Sequence, residues 1–157
     1  MQGAAEHADR ILDGIFAAIE PDVRWVHGPT SVGSCTVTRR RTVMTVVSAQ
    51  RRGNLLGVVD RYWRKSGYRL RAINKHVDAP AMYAETQDGF VVSLIVADKG
   101  QVHFDVDSPC VQESEVADPT RQATAFLDPE AEAIPRPNIH SDFWSAEGPE
   151  VDVTSGR

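Results

Sequence analysis

Between residues 5 and 20, Ile11, Ile15 and Ile19 recur every fourth position with Ala8, Phe16 and Ala18 beside them, while Glu6, Asp9, Arg10 and Asp13 fall mostly on other faces. That period predicts an amphipathic helix stopped by Pro21, with its acids in the early turns where they complement the helix dipole. Pro21 to Gly33, which holds Trp25, His27, Gly28 and Pro29, reads as a connecting loop. From Cys35 to Val47, Thr and Val alternate with period two, and the expectation is a long strand or a hairpin bent at Arg39-Arg40-Arg41. Ser48 offers an N-cap to a second helix that carries Leu55, Leu56, Val59, Tyr62 and Trp63 on one stripe and ends at Gly67.

The pattern returns to period two after Gly67. Tyr68, Leu70 and Ala72 alternate with Arg69, Arg71 and Ile73, and Asp78-Ala79-Pro80 turns the chain into Met82 to Glu85. Asp88-Gly89 is a hairpin signal ahead of Phe90, Val92, Leu94 and Val96. Lys99-Gly100 then turns into Val102, Phe104 and Val106, with His103, Asp105 and Asp107 on the opposite parity. Beyond Pro109 the periodicity stops, and six of the nine prolines fall in residues 109–157 with only three basic residues. This order predicts an α+β fold: an antiparallel sheet of four to five strands with both helices packed on one face, then an extended, acidic, Pro-rich tail. Residues 1–110 form the expected core domain. Residues 111–157 form the tail, which Ile134, Ile139, Phe143 and Trp144 could pin onto the core.

Length and composition agree with one globular domain: 157 residues, 41% hydrophobic and 25% charged, with no apolar run near the roughly 20 residues of a membrane-spanning helix. Cys35 and Cys110 are the only cysteines, and 74 residues separate them, which matches no metal-knuckle or redox spacing. A single disulfide in an oxidising compartment suits this count, and two unrelated buried thiols are the alternative. Val32-Gly33-Ser34-Cys35 resembles a lipoprotein cleavage box, but Pro21, Asp22, Arg24, His27 and Pro29 stand where a leader needs an unbroken apolar stretch.

The residues carry little recognisable chemistry. Nucleotide-binding glycine loops, a nucleophile elbow and a His-Glu-x-x-His pair are all missing, so no catalytic residue, metal ligand or cofactor is expected. His140 with Asp142 is the nearest approach to a ligand pair. A triad can be written from Ser31 or Ser34 with His103 and Asp105, but an exposed polar sheet face explains the last two without catalysis.

Charge is more informative. The chain carries 17 basic and 22 acidic residues, yet 11 of the basic ones lie between Arg39 and Lys75. Arg39, Arg40, Arg41, Arg61, Arg64, Arg69 and Arg71 are a candidate basic patch for phosphate, anionic lipid or an acidic protein. The overall acidity, with a pI near 5.5, argues against nucleic acid and favours a solvated face. Asp105, Asp107, Glu113 and Glu115 are the candidate acidic contact surface.

Trp25 to Thr30, Gly33-Ser34-Cys35, the run from Arg39 to Met44, Tyr62 to Tyr68 and Pro109-Cys110 together resemble a family of small secreted lipoproteins of actinobacteria. The similarity spans residues 11–112 and the Ser141 to Trp144 segment. It implies an extracytoplasmic location, either secreted or lipid-anchored in a precursor, and the two-cysteine pattern, without any catalytic residue. The leader and lipobox cysteine of such proteins are not seen here. The expected function is a non-enzymatic, cell-envelope-associated domain that binds a protein, cell-wall or small-molecule ligand. The alternative is an immunity or inhibitor-type protein that binds a basic partner through its acids.

Overall fold

The computed structural model describes residues 1–76, 79–97 and 99–147. Asp78 of the expected turn and residues 148–157 of the expected tail lie outside the described residues. Helix α1 spans Gln2–Ala18 and buries Ala5, Ala8, Ile11, Leu12, Ile15 and Phe16, the stripe that the four-residue period implies. It begins earlier than the pattern suggests and has no acid in its first turn, so the expected dipole benefit is not realised. Ile19 leaves the helix in an extended conformation two residues before Pro21. Asp9 and Asp13, four residues apart, are directed instead at the sheet.

Two strands appear where a loop is expected. β1 (Trp25–His27) and β2 (Ser31–Val32) both pair antiparallel with β3 (Val37–Val43). Each is too short to show a period between Pro21, Gly28-Pro29 and Gly33, and pairing with β3 rather than local propensity makes them strands. β3 runs without a bend through Arg39-Arg40-Arg41. Helix α2 (Ala49–Lys65) follows, with Ser48 Oγ accepting the Arg51 amide as N-cap, Arg64 and Lys65 in its last turn, and Leu55, Val59 and Trp63 buried.

The meander has the expected strands, β4 (Arg69–Asn74), β5 (Ala81–Glu85), β6 (Val91–Val96) and β7 (Val102–Asp107), but a bulge at Arg71 breaks the alternation in β4, so that Ile73 rather than Ala72 stands opposite Met82. Gly89 and Gly100 turn the last two connections at φ +89° and +80°, a region that side chains with a Cβ rarely enter. The sheet has seven antiparallel strands rather than four or five, in the order β1-β3-β7-β6-β5-β4, with β2 also on β3. β3 therefore pairs antiparallel with β7.

Both helices cover one sheet face. Val43, Met82, Ala84, Val92, Leu94, Val96, Val102, Phe104 and Val106 meet the buried stripes of α1 and α2 there. The disulfide Cys35–Cys110 ties the approach to β3 to the exit from β7, with Cα atoms 4.7 Å apart. Beyond it the chain has no strand or helix among the described residues, yet it is docked. Ile139 pairs with Thr45, Val46 N–H donates to Ile139 O, and Trp144 is fully buried in the core. The packed unit thus continues well past residue 110.

Candidate functional site

Helix α2 presents two stripes. Leu55, Val59 and Trp63 fill the core, while Ala49, Gly53 and Gly57, four residues apart, lie on a neighbouring face turned towards β4 and β5. A glycine inside a helix costs about 0.5–1 kcal/mol relative to alanine. Close packing does not explain either one. A Cβ at Gly53 would meet nothing within 4 Å, and one at Gly57 only the flexible end of Arg61, at 3.3 Å.

The space they leave is a groove of about 430 Å³, floored by Leu56 and Met82 and walled by Ile73 and Pro80. Ile73, on the edge strand β4, stays 43% exposed. Because β4 runs back along α2, Arg52 of the first helical turns comes to the same end of the groove as Lys75 and His76. Asp60 lines the groove from further along the helix and is paired with Arg64 at 3.0 Å. Arg52 Nε is buried without a hydrogen-bond partner among the described residues. Sequence reasoning missed this site. The signal available to it was two glycines four residues apart inside a helical period, a pattern that needs a packing or functional reason.

The seven candidate arginines do not form one surface. Strand parity sends Arg39 and Arg41 to the helix-covered face, 2% and 1% exposed, where they pair with Asp9 at 3.2 Å and Asp13 at 2.6 Å. Arg40 points to the other face and grips Asp105 through Nε and Nη2 at 2.7 and 2.9 Å. Arg64 pairs with Asp60, and Arg69 and Arg71 flank Glu85. Arg61 is exposed beside Gly57.

The four candidate acids are divided in the same way. Asp105 lies between Arg40 and His103, and Asp107 accepts the Thr38 hydroxyl at 2.6 Å, while Glu113 and Glu115 are exposed on the tail. His103 and Asp105 do share the outer face and meet at 3.2 Å, but that face is not open, since His103 is only 5% exposed. Ser31 and Ser34 are exposed and have no hydrogen bond to His103, so the triad is not assembled among the described residues. His140 and Asp142 lie 3.7 Å apart in solvent. No three metal-ligating side chains converge among the described residues.

A His–Asp pair not anticipated from sequence joins α1 to the β5–β6 turn. His7 Nε2 meets Asp88 at 2.9 Å, Thr86 donates to the same carboxylate at 2.6 Å, and the other His7 ring nitrogen lies 3.4 Å from Arg10. The Thr86 hydrogen bond is the main cause holding the Asp88 carboxyl below its ordinary range. Both imidazole nitrogens are engaged, which suits a structural tie better than proton transfer.

Burial, the largest single influence on Asp105, pushes its carboxyl up, but the hydrogen bonds and charges of His103 and Arg40 together hold it at about 2. A carboxylate depressed below its unfolded value, near 3.9, contributes stability that is complete above that value and disappears as pH falls through about 2. Asp105→Asn is expected to lower the urea midpoint at neutral pH, with the deficit shrinking between about pH 4 and pH 2. A deficit independent of pH in that window would show that the carboxylate charge is not the source. Scans against protein-family models, curated proteins and solved structures found no match for this chain.

Proposed function

We propose that this chain is a non-enzymatic ligand-binding domain that works outside the cytoplasm, associated with the cell envelope, and holds a small ligand in the groove between α2 and the β4–β5 edge. The observation that carries the binding reading is the glycine pair Gly53 and Gly57, which costs helix stability and leaves an apolar recess rather than a tight contact. The disulfide supports the location, as does the resemblance to secreted lipoproteins. No helix among the described residues is long and apolar enough to cross a membrane. The inhibitor reading has less support, because Asp105 and Asp107 already have partners within the fold.

The binding reading predicts a trade of stability against function. Gly53→Ala and Gly57→Ala should each stabilise the domain by about 0.5–1 kcal/mol, measured by urea unfolding. The neutral apolar dye N-phenylnaphthylamine should brighten on the wild-type protein and not on the Gly53→Leu/Gly57→Leu double variant, with circular dichroism confirming that the variant is folded. Dye binding that survives both leucines would remove the groove as the site. For location, the thiols of natively produced protein should resist alkylation until reduced. Two freely alkylated thiols would defeat the envelope reading.

A further inference from the structure

We infer that the ligand of this groove is a single-chain anionic amphiphile, a medium-length alkyl carboxylate or its chemical equivalent, lying along α2 with its head between Arg52 and Lys75. The inference rests on the groove being the binding site and specifies what it takes.

The groove differs in chemistry along its length. Its middle is made of Leu56, Ile73 and Met82 beside the two glycines, so a ligand there exchanges water for hydrocarbon and carries few polar atoms. One end is cationic. Arg52 and Lys75 approach it from the helix and from the chain leaving β4, with His76 beside them. Neither appears in an ion pair with the described acids, whereas Arg64 of the same helix is matched to Asp60, and Arg69 and Arg71 of β4 to Glu85.

A carboxylate head supplies the complementary charge for Arg52 and Lys75. The volume of about 430 Å³ is near the lower part of the ~300–1,000 Å³ range of small-molecule sites, which suits one alkyl chain rather than a two-chain lipid. Asp60, further along the recess, disfavours a second anionic group there and sets the direction of the chain.

Dodecanoate and dodecanol, titrated below their aggregation limits into the full chain and followed by displacement of N-phenylnaphthylamine, test the assignment. Dodecanoate should bind, and dodecanol about tenfold more weakly or worse, because it forgoes a charge-assisted hydrogen bond. Affinity should fall roughly fourfold per methylene as the acid is shortened. The Arg52→Gln/Lys75→Gln variant should bring dodecanoate down to the affinity of dodecanol without altering dodecanol itself, and Gly57→Leu should abolish both.

Equal affinity for acid and alcohol on the wild-type protein would overturn the anionic head and leave the groove reading standing. If neither the dye nor either amphiphile binds, the groove reading fails first and the inference goes with it. Sedimentation of the protein with phosphatidylglycerol vesicles that dodecanoate does not compete would overturn the inference in favour of a membrane surface.

Discussion

Asp13→Ala should destabilise the domain by about 3–5 kcal/mol, whereas Arg41→Met, at the other end of the same ion pair, should cost far less. Arg41 stands on the core face of β3, 1% exposed, with its guanidinium 4.0 Å above the Trp25 ring and its Nη2 2.6 Å from Asp13. Burial pushes the Arg41 guanidinium below its ordinary pKa, and the Asp13 hydrogen bond is the main influence opposing it. Removing Asp13 therefore strands a cation that has little access to water. Removing the arginine strands nothing comparable, since Asp13 is partly exposed and keeps Arg121 at 2.8 Å. Methionine also retains much of the packing against Trp25 and Phe16.

The double variant should recover most of the loss, because taking out both charges removes the desolvation penalty along with the attraction. Urea midpoints of the four proteins in this cycle give the answer. Equal losses for the two single variants would mean that the contact acts through shape alone.

The same pair shows where sequence reading stops. Period-two alternation places β4 to β7 within a residue or two because each is several residues long, although a bulge at Arg71 sets Ile73 rather than Ala72 opposite Met82. In β3 the inward parity is Val37, Arg39, Arg41 and Val43, and two arginines on an inward parity look like an exposed strand. They can be inward only because Asp9 and Asp13 arrive from a helix about 30 residues earlier, and no local pattern announces that pairing. Arg39 also needs Thr30 and the carbonyl of Ala117, one from the loop after β1 and the other from the tail.

The strand β1 fails for a related reason, since three residues carry no period and Trp25 and Val26 become strand only against β3. The groove was half legible. Arg52 and Lys75 lie within the basic segment that the charge count singles out, but which of its cations lack partners depends on where Asp60, Glu85 and Asp105 fall in the fold.

Trp144→Ala should cost about 3–5 kcal/mol, as large as a substitution deep in the sheet, although the residue lies in a segment without regular structure. Its ring is fully buried within the main core, and its Nε1 donates to Pro21 O at 2.6 Å. Trp144→Phe separates the two contributions. Most of the burial survives, the Pro21 carbonyl loses its donor, and a cost of about 1–3 kcal/mol is expected.

The consequence extends to the groove. The Ser48 amide donates to Trp144 O, Ser48 Oγ donates to Ala146 O while capping α2, and Arg51 lies over the Phe143 ring with Nε donating to Phe143 O. The tail is thus fastened to the first turn of the helix that carries Ala49, Arg52 and Gly53. Trp144→Ala should accordingly weaken dye binding in the groove under conditions where the protein remains folded, and Trp144→Phe should spare it. A protein shortened to residues 1–110 that unfolds at the wild-type midpoint would show that the tail only rests on the core. The bonds to Ser48 and Pro21 lead us to expect instead that the shortened chain loses both stability and the cationic end of the groove.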